Sequence, residues 1–109
     1  MTDPLKISET SFQSAVLELA RIYGWRVFHA RPSQTRNGRW ITAMAGDAGF
    51  PDLVLAHPTR GVLFAELKTA IGRVSPQQTE WATVLTAAGA EYHLWRPRDI
   101  QRIKERLGT

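Results

Sequence analysis

The sequence predicts an α/β domain in which a mixed β-sheet is flanked by helices. Apolar residues recur at helical spacing in three segments, and strand-like alternation or short apolar runs occur in four others. These segments follow one another in the order αβββαβα, without an internal repeat or a linker. A length of 109 residues also suits one small domain. We therefore expect a single domain over residues 1–109, with its core at about residues 8–107.

The first helix is predicted from Ser8, which can act as its N-cap, to about Tyr23. Glu9 lies three residues before Phe12 and seven before Val16, so it is expected on the inward stripe of this helix. A carboxylate in the first turn is also favoured by the helix dipole alone. Both explanations of Glu9 stay open at this stage.

The strands are predicted at residues 25–30, 52–56, 61–69 and 91–95. Residues 57–61, HPTRG, are a short turn-rich connection typical of an antiparallel hairpin. Residues 31–51 show no sustained period, which is typical of a functional or mobile loop, although residues 40–44 also fit a short strand.

Residues 75–78, SPQQ, predict the start of the second helix. Ser75 can be the N-cap, Pro76 the first helical residue and Gln78 the partner in a capping box. The expected apolar stripe consists of Trp81, Val84, Leu85 and Ala88. Gly89 is expected to end the helix. A last helix is predicted at about residues 97–107, with a buried stripe of Ile100, Ile103 and Leu107.

Three charged residues interrupt the otherwise apolar segment GFPDLVLAHPTRGVLFAELKT at residues 49–69. Side chains two apart in a strand share a face, so Glu66 and Lys68 are expected to point the same way. Asp52 opens the partner strand directly after Pro51, whose fixed φ suits a first strand residue. A hairpin of this length can bring Asp52 beside Glu66 or Lys68. The three charges are then expected to converge at one end of the sheet.

This set of charges suits metal-assisted chemistry on a phosphodiester. Two adjacent carboxylates repel unless a cation lies between them, and Mg²⁺ prefers such oxygen ligands. Lys68 could stabilise the charge that builds on phosphorus or orient the attacking water, and Gln78 could hold that water or Lys68. Each signal alone has an ordinary explanation, an exposed ion pair or a helix cap. The functional hypothesis therefore depends on their joint occurrence.

Composition favours a soluble protein with an anionic partner. The formal net charge is +4 and the pI is near 10.1, with more arginine than lysine. Arginine suits phosphate recognition, although a solvated basic surface explains the charge equally well. The absence of cysteine excludes disulfides and thiolate metal sites and fits a cytoplasmic location. The first ten residues have no apolar stretch long enough for a signal peptide or a membrane span.

Four segments closely resemble the VRR-NUC branch of the PD-(D/E)xK nuclease superfamily: GFPD at 49–52, FAELK at 64–68, GRVSPQQTEW at 72–81 and AAGAEYHLWRP at 87–97. Glu9 in ISETSFQ matches the first-helix acid of that branch. The resemblance implies a restriction-endonuclease-like core that binds Mg²⁺ or Mn²⁺ through Asp52, Glu66 and the backbone carbonyl of Leu67. It also implies that Lys68 is catalytic, with assistance from Glu9 and Gln78.

The leading hypothesis is a metal-dependent endonuclease that hydrolyses DNA and is specific for structure rather than sequence. Similarity to stand-alone phage and bacterial members of the branch implies a homodimer that cuts branched DNA such as Holliday junctions. The basic residues expected to contact backbone phosphates are Arg31, Arg36, Arg39 and Arg73. One alternative is a DNA-binding accessory module that keeps the nuclease fold without catalysis. Another is a structural domain with an internal ion-pair cluster, which would bind no divalent metal.

Overall fold

The computed structural model describes residues 3–29, 33–34, 40–41 and 45–109. The helices in this part of the chain are α1 (Glu9–Ile22), α2 (Pro76–Ala87) and α3 (Ile100–Gly108). The strands are β1 (Arg26–His29), β2 (Ser33–Gln34), β3 (Trp40–Ile41), β4 (Leu53–His57), β5 (Gly61–Leu67) and β6 (Glu91–Trp95). Short 3-10 segments, Pro4–Lys6 and Pro97–Asp99, precede α1 and α3.

A four-stranded sheet with the order β1-β4-β5-β6 lies at the centre of the fold. β4 pairs antiparallel with β1 and with β5, whereas β5 pairs parallel with β6. Helix α2 connects this parallel pair, since parallel neighbours need a crossover connection. β2 and β3 form a separate antiparallel ladder. The predicted class, a mixed sheet flanked by helices, is confirmed.

One face of the sheet carries the apolar core. Inward-facing residues of β4 and β5 alternate with less buried ones and meet the inner stripes of α1 and α3. The indole Nε1 of Trp25 donates a hydrogen bond to the Leu107 carbonyl at 2.9 Å, which joins the start of β1 to the end of α3. The core consists of Phe12, Val16, Ala20, Trp25, Leu53, Leu55, Leu63, Ala65, Leu67, Trp95, Ile103 and Leu107.

Helix α2 packs over the opposite face of the sheet. The Phe50 ring makes edge contacts with Phe64 of β5 and Trp81 of α2, at centroid distances of 6.0 and 5.0 Å. Gly49 has a φ of +94° and approaches α2 so closely that a Cβ atom would lie 2.5 Å from the Gln77 carbonyl carbon. Residues 49 and 50 therefore anchor the start of α2 to the sheet.

The predicted stripe of α2 is wrong in part. Val84 is 55% exposed, Ala88 is exposed, and α2 has no fully buried residue. Apolar spacing identifies which residues share a helix face, but it does not show whether another surface covers that face. By contrast, the capping box of Ser75 and Gln78 is confirmed, as is the stripe of α3 through Ile103 and Leu107.

The segment of residues 31–51 contains the short ladder of β2 and β3, and β3 falls within the strand suggested at residues 40–44. The predicted DNA contacts Arg31, Arg36 and Arg39 lie outside the described residues. Within the described ranges, no helix has the length and apolar character needed to cross a membrane.

Candidate active site

Two of the predicted acids meet at one end of the sheet, where β4 begins and β5 and β6 end. Leu53 pairs with Ala65 in the antiparallel ladder, so one further step along it places Asp52 beside Glu66. On its other side Glu66 pairs with Leu94 of β6. The hairpin therefore brings the two carboxylates together.

Asp52 is held in place by the backbone of β5. Its Oδ2 accepts a hydrogen bond from the Leu67 amide at 2.9 Å, just beyond the last paired residues of the two strands. Pro51, which is buried, has no N–H to satisfy at this position. The Asp52 carboxylate is thus fixed at the strand end.

Glu66 is the buried member of the pair, with 2% exposure. Its Oε1 accepts a hydrogen bond from Gln78 Nε2 at 3.2 Å, whereas Oε2 is buried and, when both acids are ionised, has no hydrogen-bond partner. The Gln78 side chain is itself oriented, because its Oε1 accepts from the Ser75 amide at 2.9 Å in the capping box. The capping box at the start of α2 therefore orients the Glu66 carboxyl through the Gln78 side chain.

The environment of Glu66 favours its neutral form. The pKa of Glu66 is raised from 4.5 to about 8, mainly by burial. A hydrogen bond to Asp52, which forms when the pair holds a proton, and the charge of Asp52 act in the same direction. The positive charge of Lys68 lowers this pKa, and the charge of Glu9 makes the smallest contribution, which raises it. At neutral pH the pair therefore holds a proton in the absence of a cation.

Lys68 follows directly after β5, and its amide donates to the Trp95 carbonyl at 3.0 Å. A Cβ atom on Gly72 would lie 3.5 Å from Lys68 Cδ, so the lysine stem runs alongside the turn that follows the strand. Its ammonium acts electrostatically on Glu66. Lys68 thus belongs to the same group of charges, as its spacing from Glu66 predicted.

The expectation that Glu9 faces inward is wrong, because its side chain is exposed. The buried stripe of α1 begins with Phe12, one turn later. Glu9 nevertheless lies close enough to Glu66 to influence its pKa. It therefore stands at the rim of the site, and its assisting role stays a prediction.

Two other predicted residues are near the site in sequence. Arg73 is exposed in the connection between β5 and α2. Leu67 has a buried side chain and an amide bonded to Asp52, so its peptide group borders the carboxylate pair. The proposed DNA contact of Arg73 and the ligand role of the Leu67 carbonyl both stay predictions.

Tyr92 is a neighbour of the site that sequence reasoning missed. It pairs with Phe64 in the parallel ladder and lies on the same sheet face as Glu66. Burial raises the pKa of Tyr92 above 10.0, and the charges of Glu66 and Asp52 contribute further. Its phenol therefore stays protonated at neutral pH. The alternation in EYHLW indicates the face of Tyr92, but only the register between β5 and β6 places it here.

The donor set fits a hard divalent cation. Asp52 and Glu66 offer a cation two adjacent carboxylates, and within the described ranges no third His, Asp or Glu side chain completes a metal-binding cluster. The partnerless Oε2 of Glu66 is a costly buried acceptor that a cation would satisfy. A cation between the two carboxylates would also remove their repulsion.

The mixed sheet flanked by helices, with acids at the shared end of its strands, defines a nuclease-like α/β fold. The family model of the VRR-NUC domain matches residues 24–98, and the chain belongs to this family of nuclease-type domains. A solved structure described as a VRR-NUC domain is similar, with a TM-score of 0.63 and 21% sequence identity. That alignment covers 89% of this chain and 94% of the other and shows a shared fold. Comparison with curated proteins gave no match.

Proposed function

We propose that the chain is a metal-dependent endonuclease that hydrolyses phosphodiester bonds in DNA. One observation carries the proposal: the Glu66 carboxyl is buried beside Asp52 with one oxygen unpartnered. A buried acid beside a second acid destabilises a fold, so its presence indicates a purpose other than stability. Strongly perturbed pKa values of this kind concentrate at functional sites.

Asp52 and Glu66 would hold Mg²⁺ or Mn²⁺, with the Leu67 carbonyl as a further ligand. When bound, such a cation supplies Lewis-acid stabilisation of the phosphate charge. The carboxylates that would hold the cation are already oriented, Asp52 by the Leu67 amide and Glu66 by Gln78. This preorganisation supports a catalytic rather than an incidental ion site.

The other residues would act on the water and the phosphate. The Lys68 ammonium would stabilise negative charge on phosphate oxygens or help to orient and deprotonate the attacking water. Gln78 would keep the Glu66 carboxylate in one orientation through the bond that it donates to Oε1. Glu9, at the rim, would assist by hydrogen bonding to water near the site.

The proposed substrate is branched DNA such as a Holliday junction, cut by a homodimer. The net charge of +4 and the exposed Arg73 support contact with backbone phosphates, and Arg31, Arg36 and Arg39 are further candidates. Twofold symmetry would provide two sites for paired cuts. We also propose a cytoplasmic location in a bacterial or phage-infected cell and membership of the PD-(D/E)xK superfamily as a stand-alone nuclease.

The test is a cleavage assay on labelled four-way junction, flap, linear duplex and single-stranded DNA, with Mg²⁺, Mn²⁺ or EDTA. The proposal predicts cleavage that requires a metal and is fastest on a branched substrate. Binding without cleavage in any metal would favour the accessory DNA-binding module instead. Light scattering of the free protein tests the dimer, and a monomer would contradict paired cutting.

A further inference from the structure

The turn that follows Lys68, residues 69–72, is held rigidly by Arg96. Arg96 Nη1 donates to the Thr69 carbonyl at 2.7 Å and to the Gly72 carbonyl at 2.8 Å. The Gly72 amide closes the turn by donating to the Thr69 carbonyl at 3.3 Å. Arg96 is anchored in turn, because its own amide donates to Asp99 Oδ2 at 2.8 Å. One guanidinium thus joins both ends of the turn to the end of β6.

Ile71 lies in this turn and is 83% exposed, more than any other large apolar residue in the described part of the chain. Packing within the described structure therefore does not explain an isoleucine here. The backbone does not explain it either, because no residue of the turn has positive φ and turns favour Gly, Pro, Asn, Asp and Ser. The rigid turn presents an apolar side chain to something else.

The turn places Ile71 close to the candidate active site. Gly72 lies against the Lys68 stem, since its Cβ would be 3.5 Å from Lys68 Cδ. Ile71 is three positions after Lys68, and the turn closed between Thr69 and Gly72 keeps the two residues within about 11 Å of each other. The exposed Arg73 follows two residues later. Ile71 is therefore an apolar side chain close to the site, with a cationic residue on each side of it in the sequence.

We propose that Ile71 is an apolar wedge that inserts between bases of the DNA bound at the Asp52–Glu66 site. The inference rests on the proposed nuclease function and names the residue that would select its substrate. Apolar side chains of this kind unstack base steps in other DNA-binding proteins, at an energetic cost for each step. At a branch point the stacking is weaker than in linear duplex, so the cost of the remaining unstacking is lower there. The wedge therefore favours branched DNA over linear duplex.

A contact between Ile71 and a second copy of the chain is less well supported. Stable protein interfaces bury about 1,200–2,000 Å² around an apolar centre from which lysine is depleted. Ile71 instead lies between Lys68 and Arg73, and a cationic surround suits a phosphate backbone. A single apolar tip held on a rigid turn also resembles an inserted wedge more than a flat interface.

The experiment compares Ile71→Ser and Ile71→Met with Ile22→Ser as the matched control. Ile22 is 66% exposed and ends α1, thirteen residues beyond Glu9, which is about 20 Å along the helix. Unstacking is measured in EDTA as the fluorescence rise of 2-aminopurine placed at the centre of a four-way junction. Cleavage of the junction and of linear duplex is measured in Mg²⁺. Circular dichroism and light scattering report the fold and the oligomeric state of each variant.

We expect Ile71→Ser to abolish the fluorescence rise and to lower the ratio of junction to duplex cleavage by about tenfold, an effect that burial of one isoleucine side chain supports. Ile71→Met and Ile22→Ser should behave like the wild type. An unchanged ratio and unchanged fluorescence in Ile71→Ser would overturn the inference. So would a change from dimer to monomer, or a loss of thermal stability, which would assign Ile71 to a protein contact. If the wild type cuts no DNA, the nuclease proposal fails, while the fluorescence experiment still decides the wedge.

Discussion

Gln78 joins the start of α2 to the buried Glu66 through the two ends of one amide group. Its Nε2 donates to Glu66 Oε1 at 3.2 Å, and its Oε1 accepts from the Ser75 amide at 2.9 Å. The residue that caps the helix is therefore also the residue that orients the acid. A change at Gln78 should separate these two roles.

Gln78→Glu should keep the cap and impair the site. A glutamate side chain still accepts from the Ser75 amide, but it cannot donate to Glu66 when ionised and adds a third negative charge. We expect a loss of cleavage of about 10–100-fold, the usual cost of removing a partner of a metal ligand. Steady-state cleavage of a four-way junction measures it.

Ser75→Ala is the control for this substitution. It removes the hydrogen bond that the backbone amide of Gln78 donates to Ser75 Oγ. We expect this to cost about 1 kcal/mol of stability, with little loss of activity. If Gln78→Glu cuts as fast as the wild type, Gln78 has no role beyond the helix cap.

Without divalent metal, the stability of the protein should depend on the ionisation of Glu66. The folded state keeps a proton on Glu66 up to about pH 8, whereas the unfolded chain loses it near 4.5. The unfolded state thus binds fewer protons in this range, so the free energy of unfolding falls as pH rises from 4.5 to 8, by at most about 1.4 kcal/mol per pH unit. Glu66→Gln should remove this fall.

Urea unfolding in EDTA at pH 5, 6.5 and 8 measures the effect. The Glu91 carboxyl does not interfere with this measurement. Its hydrogen bond to Arg106 lowers its pKa, so the stability that Glu91 contributes is lost only as the pH falls below the range tested. Parallel pH profiles for the wild type and Glu66→Gln would show that Glu66 ionises normally in the folded protein.

Metal binding should release a proton from Glu66. A cation needs the ionised carboxylate, and at pH 7 the group is largely protonated, so Mn²⁺ binding should release close to one proton per site. Calorimetric titration in buffers of different ionisation enthalpy counts the protons. Asp52→Asn should weaken the binding strongly, and equal Mn²⁺ affinity in this variant would place the metal elsewhere.

Gly49→Ala should move α2 away from the sheet. The new Cβ would lie 2.5 Å from the Gln77 carbonyl carbon and 2.7 Å from its oxygen, so the backbone must shift. We expect a loss of about 1–3 kcal/mol in stability and reduced cleavage, because the partner of Glu66 moves with the helix. Gly46→Ala is the matched control: φ at Gly46 is also positive, at +113°, but nothing lies within 4 Å of its Cβ position. Equal effects of the two substitutions would exclude the contact with α2 as the cause.

Features that depend on nearby residues could be predicted from the sequence. The capping box at Ser75 and Gln78 lies within four residues, and strand alternation with one short turn brings Asp52 to Glu66. Both follow from local geometry, so the principal acids of the candidate site could be predicted to meet.

Features that depend on contacts between distant residues could not be predicted from the sequence. Tyr92 reaches the site only through the parallel register of β5 and β6. The exposure of Val84 depends on how much of α2 the sheet covers, and Arg96 binds carbonyls 24 and 27 residues away. No periodicity in the sequence encodes these contacts.

The most direct test of the account is single-turnover cleavage of a labelled four-way junction at pH 8 by the wild type and Glu66→Gln. The glutamine amide can still accept from Gln78 and donate to Asp52, so the fold should be kept while the charge for a cation is lost. We predict cleavage by the wild type in Mg²⁺, none in EDTA, and a rate at least about 100-fold lower for Glu66→Gln, as loss of metal-based stabilisation implies. Cleavage by the folded variant at the wild-type rate, or cleavage that persists in EDTA, would contradict the account.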